Sequence, residues 1–167
     1  MIKHSTSEEC REKAKKAVAV LRATGKKVAT AESCTGGLLS AYITSVSGAS
    51  AVFETGIAAY SAAAKQKMLS VSPDTIREYG TVSRKTAGEM AYGVRRKANA
   101  DIGLAVTGVA GPEPCEGKSV GTVYIALADE RQVSVTKLMI ESSDRDQIRN
   151  TACSALLSML IEYFERG

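Results

Sequence analysis

The chain has 167 residues and a formal net charge of +4, the size of one domain. Apolar residues make up 44% of it, too many for a disordered chain and enough for a sizeable core. Aromatics are only 5% and Trp is absent, so the core rests on Ala, Val, Leu and Ile, and stacking platforms for nucleic acid are not expected. The mild positive excess suits a phosphorylated metabolite, since a polynucleotide calls for a denser basic footprint. Among Cys10, Cys34, Cys115 and Cys153 there is no CxxC pair, which points to free thiols in a reducing compartment and leaves a zinc knuckle unsupported. No apolar run approaches the roughly 20 residues of a membrane helix, and the polar start does not read as a signal peptide. The expected location is the cytoplasm, with neither membrane nor nucleic acid as partner. The single histidine, His4, lies in a polar stretch, 1–6, expected to be a mobile tail. Ser-His-Asp, Cys-His and His-ligated metal sites are therefore not expected, and any nucleophile needs Lys, Tyr or a carboxylate as its base.

In chain order, Ser5, Thr6 or Ser7 can cap a first helix, with Glu8 and Glu9 in its first turn and Gly25 at its C-cap. Ala14, Ala17, Val18 and Leu21 recur within it at helical spacing. Residues 28–32 read as a short strand running into Ser33-Cys34-Thr35-Gly36-Gly37 and a helix over 38–46. A loop leads to a strand at 52–60 and a short helix over 62–69. Pro73 opens a helical turn ending near Gly80, and Ser83 caps a longer helix to Ala98. Residues 102–106 are an apolar run bounded by Asp101 and Thr107-Gly108, the pattern of a buried central strand. A loop over 108–118 precedes two strands, 120–128 and 133–140, that flank Asp129-Glu130-Arg131 as a hairpin. Asp144 caps a last helix to Phe164. No repeat or linker divides the chain, so 1–167 is expected to be one domain. Strands separated by helices, plus one C-terminal hairpin, predict a three-layer α/β/α sandwich around a mixed, mostly parallel sheet.

Four constellations could carry chemistry. In Thr30-Ala31-Glu32-Ser33-Cys34-Thr35-Gly36-Gly37 a strand feeds a helix, where unpaired amides and the helix dipole suit a phosphate or a developing oxyanion. The same residues also make an ordinary capped turn. In Tyr60-Ser61-Ala62-Ala63-Ala64-Lys65 the alanines leave Lys65 poorly hydrated, and burial lowers a lysine pKa, so a neutral amine could accept a proton from serine. The alternative is a solvated surface lysine; Lys67, two residues on, should face elsewhere. Thr107-Gly108 opens a Gly-bearing loop at a strand end, the usual ligand position in an open α/β sheet, or a structural turn. Arg145 and Arg149 start the last helix; either could hold a phosphate bidentately, or be solvated or paired with adjacent acids, the reading preferred for Arg149. Cys34 is a second-ranked nucleophile.

Together these segments resemble the CinA C-terminal-domain family, the nicotinamide-nucleotide amidases, over nearly the whole chain. The resemblance rests on the run from Thr30 to Gly37, Gly48 with Ser50, Phe53, Tyr60-Ser61 with Lys65, and Gly80 with Val82-Ser83. It continues through the run from Thr107 to Pro112, Val120-Gly121-Thr122-Val123-Tyr124, and the run from Asp144 to Arg149. It implies hydrolysis of nicotinamide mononucleotide to nicotinic acid mononucleotide and ammonia, without metal or cofactor. The implied catalytic residues are Ser33 as nucleophile, Lys65 as base and Tyr60 beside them. The expected substrate-binding set is Glu32, Cys34, Thr35, Gly36, Gly37, Thr107, Gly108 and Arg145. Relatives are often oligomeric, so a homo-oligomer is expected, as is a standalone domain without the larger partner domain of many relatives. The chain departs from the family at Ala62, where relatives carry Asn, and at Glu113-Pro114-Cys115-Glu116-Gly117, where they carry an Asp-Gly-Gly-like turn.

Overall fold

In a computed structural model, which describes residues 4–166, β1 (Val28–Glu32) is buried along its whole length. It pairs in parallel with β2 (Phe53–Ala58) on one side and β3 (Ile102–Gly108) on the other. β4 (Thr122–Ala128) and β5 (Val133–Met139) continue the sheet antiparallel, in the order β2-β1-β3-β4-β5. The sheet is mixed, as expected: three parallel strands on one side and the hairpin on the other.

The helices are α1 (Ser7–Thr24), α2 (Leu38–Thr44), α3 (Ala62–Leu69), α4 (Pro73–Tyr79), α5 (Arg84–Ala98) and α6 (Arg145–Glu165). They divide between the faces according to the period-two alternation of the strands. Val28, Ile102, Leu104, Val106, Val123, Ile125 and Leu127 point to a core shared with α1, α2 and α6. Ala29, Ala31, Ala105, Ala126 and Ala128 point to α3 and α5. The second face is paved with small residues, so its helices lie close; a Cβ at Gly103 would stand 2.1 Å from the Ala91 carbonyl of α5. The result is the expected three-layer α/β/α arrangement.

The chain leaves β1 towards β2 at one edge, then returns through α3, α4 and α5 to β3 on the other side of β1. That reversal marks the carboxyl ends of β1 and β3 as the place where open α/β sheets have their ligand crevice.

Three expectations need correction. Residues 4–6 are not a loose tail: the Ser5 amide donates to Thr151 Oγ1 at 3.1 Å, and Ser5 Oγ to Ser154 Oγ at 2.9 Å. Thr6 then caps α1 in a reciprocal pair with Glu9. Residues 1–3 lie outside the described residues. The turn after Ser72 is a helix in its own right, α4, started by the Ser72 cap and Pro73. β3 runs two residues beyond Val106, because Thr107 and Gly108 pair with Tyr124 and Val123 of β4.

Candidate active site

Ser33 follows β1, and its amide donates to the Val106 carbonyl of β3 at 3.0 Å. That bond places the residue in the crevice between the two strands. Lys65 arrives from α3, which Ser61 caps through the Ala64 amide. The far end of α3 is seated on α5 at Gly93, where a Cβ would come within 1.8 Å of the Leu69 carbonyl; only glycine permits that approach. One turn before Leu69, Lys65 points inward and is 1% exposed. Lys67 is exposed, as its position predicts.

Lys65 Nζ lies 2.9 Å from Ser33 Oγ, 3.0 Å from the Ala59 carbonyl and 3.2 Å from the Tyr60 carbonyl. Among the described residues it makes no ion pair. Carbonyls only accept, so in its neutral form the amine would give them its two N–H bonds and turn its lone pair to the serine hydroxyl; as an ammonium it donates to Ser33 Oγ as well. Burial pushes the Lys65 amine below the ordinary lysine value, opposed in part by the Glu116 carboxylate. A buried amine with a lowered pKa, at hydrogen-bond distance from serine, is the arrangement a general base requires.

The turn after Ser33 is held from below by Glu32. This carboxylate is fully buried. One oxygen accepts from Thr35 Oγ1, the Gly37 amide and the Leu39 amide, the other from the Ser40 amide and hydroxyl. Glu32 thus caps α2, whose N-cap residue, Gly37, has no side chain to do so. Its acceptor capacity is spent inside the fold, which corrects its expected place among substrate-binding residues. Thr35 is also turned inward, onto Glu32. Its carbonyl accepts from Arg149 Nη2 at 3.0 Å, and Arg149 pairs with Asp146 at 2.9 Å. Arg149, read from sequence as solvated or paired with acids, therefore clamps the nucleophile turn from α6.

The amides of the turn narrow the expected anion site. Gly36 donates to the Ser33 carbonyl and Gly37 to Glu32, so neither is free for a phosphate. The Cys34 and Thr35 amides have no acceptor among the described residues. They directly follow the nucleophile, where an oxyanion hole needs donors. Gly36 and Gly37 have positive φ, and open space stands where a Cβ would be. The Cys34 side chain packs into the α6-side core, and burial pushes its thiol up to about 12. It stays protonated near neutral pH and is a poor rival to Ser33.

Thr107 is fully buried and donates from Oγ1 to the Thr81 carbonyl at 2.8 Å. It holds the turn between α4 and α5, and of its two sequence readings the structural one describes this contact. The space a side chain would take at Gly108 is filled by Thr122 and Val123 of β4. Tyr60 is 61% exposed, and its hydroxyl accepts from Arg145 Nη2 at 2.8 Å. Only its backbone carbonyl touches Lys65, so its ring does not join the dyad in this arrangement. Arg145 also donates to the Gly111 carbonyl, bridging three segments at the mouth of the crevice.

The chain as a whole is similar to known proteins. The family description for the CinA C-terminal domain matches residues 11–164. The chain belongs to the CinA C-terminal domain family. A CinA-like protein of Geobacter is 46% identical over 86% of this chain, and one of Kosmotoga olearia likewise 46% identical over 86%. The chain spans about a third of the length of the curated relatives it matches. A crystal structure of a CinA superfamily protein from Klebsiella pneumoniae superposes with a TM-score of 0.91 at 31% identity, covering 95% of this chain and 99% of that one. The CihA protein of Agrobacterium tumefaciens gives 0.89 at 35% identity, covering 97% and 98%. Among the described residues no helix is long and apolar enough to cross a membrane.

Proposed function

We propose that this CinA-family domain hydrolyses the carboxamide of nicotinamide mononucleotide, with Ser33 as nucleophile and Lys65 as general base. The observation that carries the reading is the buried amine without an ion pair, 2.9 Å from the serine hydroxyl. Neutral Lys65 takes the Ser33 proton as Oγ attacks the carboxamide carbon. The Cys34 and Thr35 amides receive the oxyanion, each donor contributing roughly 3–4 kcal/mol in comparable sites. Lys65 returns the proton to the departing amine, the C–N bond breaks, and ammonia leaves an acyl-serine. Water, deprotonated by the same amine, then attacks the ester carbon; the serine leaves with that proton and nicotinic acid mononucleotide is released.

Arg145 is assigned to the 5′-phosphate. Its guanidinium stands at the mouth and can exchange the Tyr60 hydroxyl for phosphate oxygens, which it matches bidentately. The sign of the pH dependence follows from the amine. Lys65 acts only when neutral, so activity falls as pH drops through its depressed pKa.

The test is ammonia release from nicotinamide mononucleotide, with nicotinamide riboside and benzamide alongside. Turnover of the nucleotide well above the other two, lost at low pH, is the expected result. Tight binding without ammonia release would make the domain a nucleotide-binding module. Equal turnover of all three amides would remove the nucleotide from the reading while keeping the chemistry.

A further inference from the structure

The 115–118 segment is a two-residue hairpin: Cys115 and Lys118 exchange both backbone hydrogen bonds, and Glu116 and Gly117 at its tip have φ of 51° and 69°. Two successive positive φ values make the tight turn whose twist fits a hairpin. Glycine adopts that conformation freely and glutamate does not, so something must hold Glu116 there. Its carboxylate accepts from the Thr81 amide at 3.0 Å, Thr81 Oγ1 at 2.6 Å and the Val82 amide at 3.2 Å, with Lys118 Nζ 3.8 Å away. The seat is shaped for it: a Cβ on Gly80 would lie 2.2 Å from Glu116 Oε2. The turn that Glu116 grips is the one Thr107 grips from β3 through the Thr81 carbonyl. A continuous set of contacts therefore runs from Ser33 through Val106 and Thr107 to Thr81 and Glu116.

We propose that Glu116 is a positioning residue of the site. Its carboxylate docks the 115–118 hairpin on the 80–82 turn, which Thr107 also holds, and fixes a negative charge within reach of Lys65. The assignment rests on the amidase reading, but the docking and its charge can be measured without it.

Burial opposes ionisation of Glu116, but the Thr81 and Val82 donors and Lys118 outweigh it and hold the carboxyl below its usual value, so it is an anion at working pH. That charge reaches Lys65, whereas the Cys34 thiol, neutral at working pH, does not add to it. The other ionisable groups on the surrounding elements are committed elsewhere: Glu32 to the start of α2, Glu89 of α5 to Ser72 and Thr75, and Arg145 and the Tyr60 hydroxyl to each other. Removing the Glu116 charge favours the neutral amine, so the acid limb should move to lower pH.

The experiment compares Glu116→Gln and Glu116→Asp in two assays on the folded proteins. The first is the pH profile and KM of amide hydrolysis. The second is the pH dependence of Lys65 acylation by acetic anhydride, read by peptide mass mapping, which needs no substrate. For Glu116→Gln we expect both limbs to move acidward by on the order of half a pH unit, with KM raised several-fold. Glu116→Asp, which keeps the charge, should return the limbs towards wild type. A Glu116→Gln acylation limb that stays in place or moves to higher pH overturns the proposal. An acidward acylation shift supports it even if no amide is turned over, an outcome that would count against the amidase reading alone.

Discussion

Lys65→Arg should lower kcat for nicotinamide mononucleotide by about 10²–10⁴-fold, the usual worth of a positioned general base. The substitution keeps the positive charge and much of the length, but a guanidinium does not deprotonate near neutral pH. It also has no acceptor to offer Ser33 and brings five donors into a space where two carbonyls and one hydroxyl wait. Ser33→Ala removes the nucleophile and should cost at least as much. The two losses should not add, because base and nucleophile act as one unit. A double variant no worse than the poorer single one, with circular dichroism showing intact folds, is the expected outcome. Fully multiplicative losses would mean that the two residues serve separate steps.

Glu32→Ala should act on stability instead. It strands the Gly37, Leu39 and Ser40 amides at the buried start of α2, together with the hydroxyls of Thr35 and Ser40. Each buried donor left without a partner costs about 1–3 kcal/mol, so a loss of at least about 3 kcal/mol is expected even where water enters. For a domain of this size that lowers Tm by about 6–12 °C. Glu32→Gln should fall between, since one of its two positions becomes a donor facing donors. Thermal unfolding followed by circular dichroism measures both. If Glu32 were a substrate ligand, Tm would hold and KM would rise.

These two carboxylate and amine positions show what local sequence carries. Local sequence left Lys65 open between a poorly hydrated base and a solvated lysine, although the Ala62-Ala63-Ala64 run, its phase relative to Lys67 and the scarcity of histidine made it a candidate; the family resemblance chose between them. The layers were legible: Val28, Leu104 and Ile125 alternate with Ala29, Ala105 and Ala126, and that period decides which helix covers which face. Glu32 was misassigned because a carboxylate beside a nucleophile looks like chemistry. Only the entry angle of α2 reveals that its oxygens meet three helix-start amides. Arg145 and Arg149 stand one helical turn apart and are indistinguishable by type. Their separate tasks, at the mouth and on the Thr35 carbonyl, depend on how α6 lies against the nucleophile turn. Thr107 posed the same difficulty, since its partner Thr81 is 26 residues away in the chain. Glu116 stood in the segment that departs from the family, but its role gave no signal, because its partners Thr81 and Val82 lie 35 and 34 residues earlier in the chain.

The catalytic reading depends on the charge state of one buried amine. The most direct measurement is an NMR titration of the Lys65 side chain, following the Cε and Nζ resonances of the folded protein and assigning them by their loss in Lys65→Met. The expected result is a midpoint well below the lysine reference of about 10.4, with the amine largely neutral where the domain works. A midpoint at or above that reference would leave an ammonium facing Ser33, able to donate to its hydroxyl but not to take its proton.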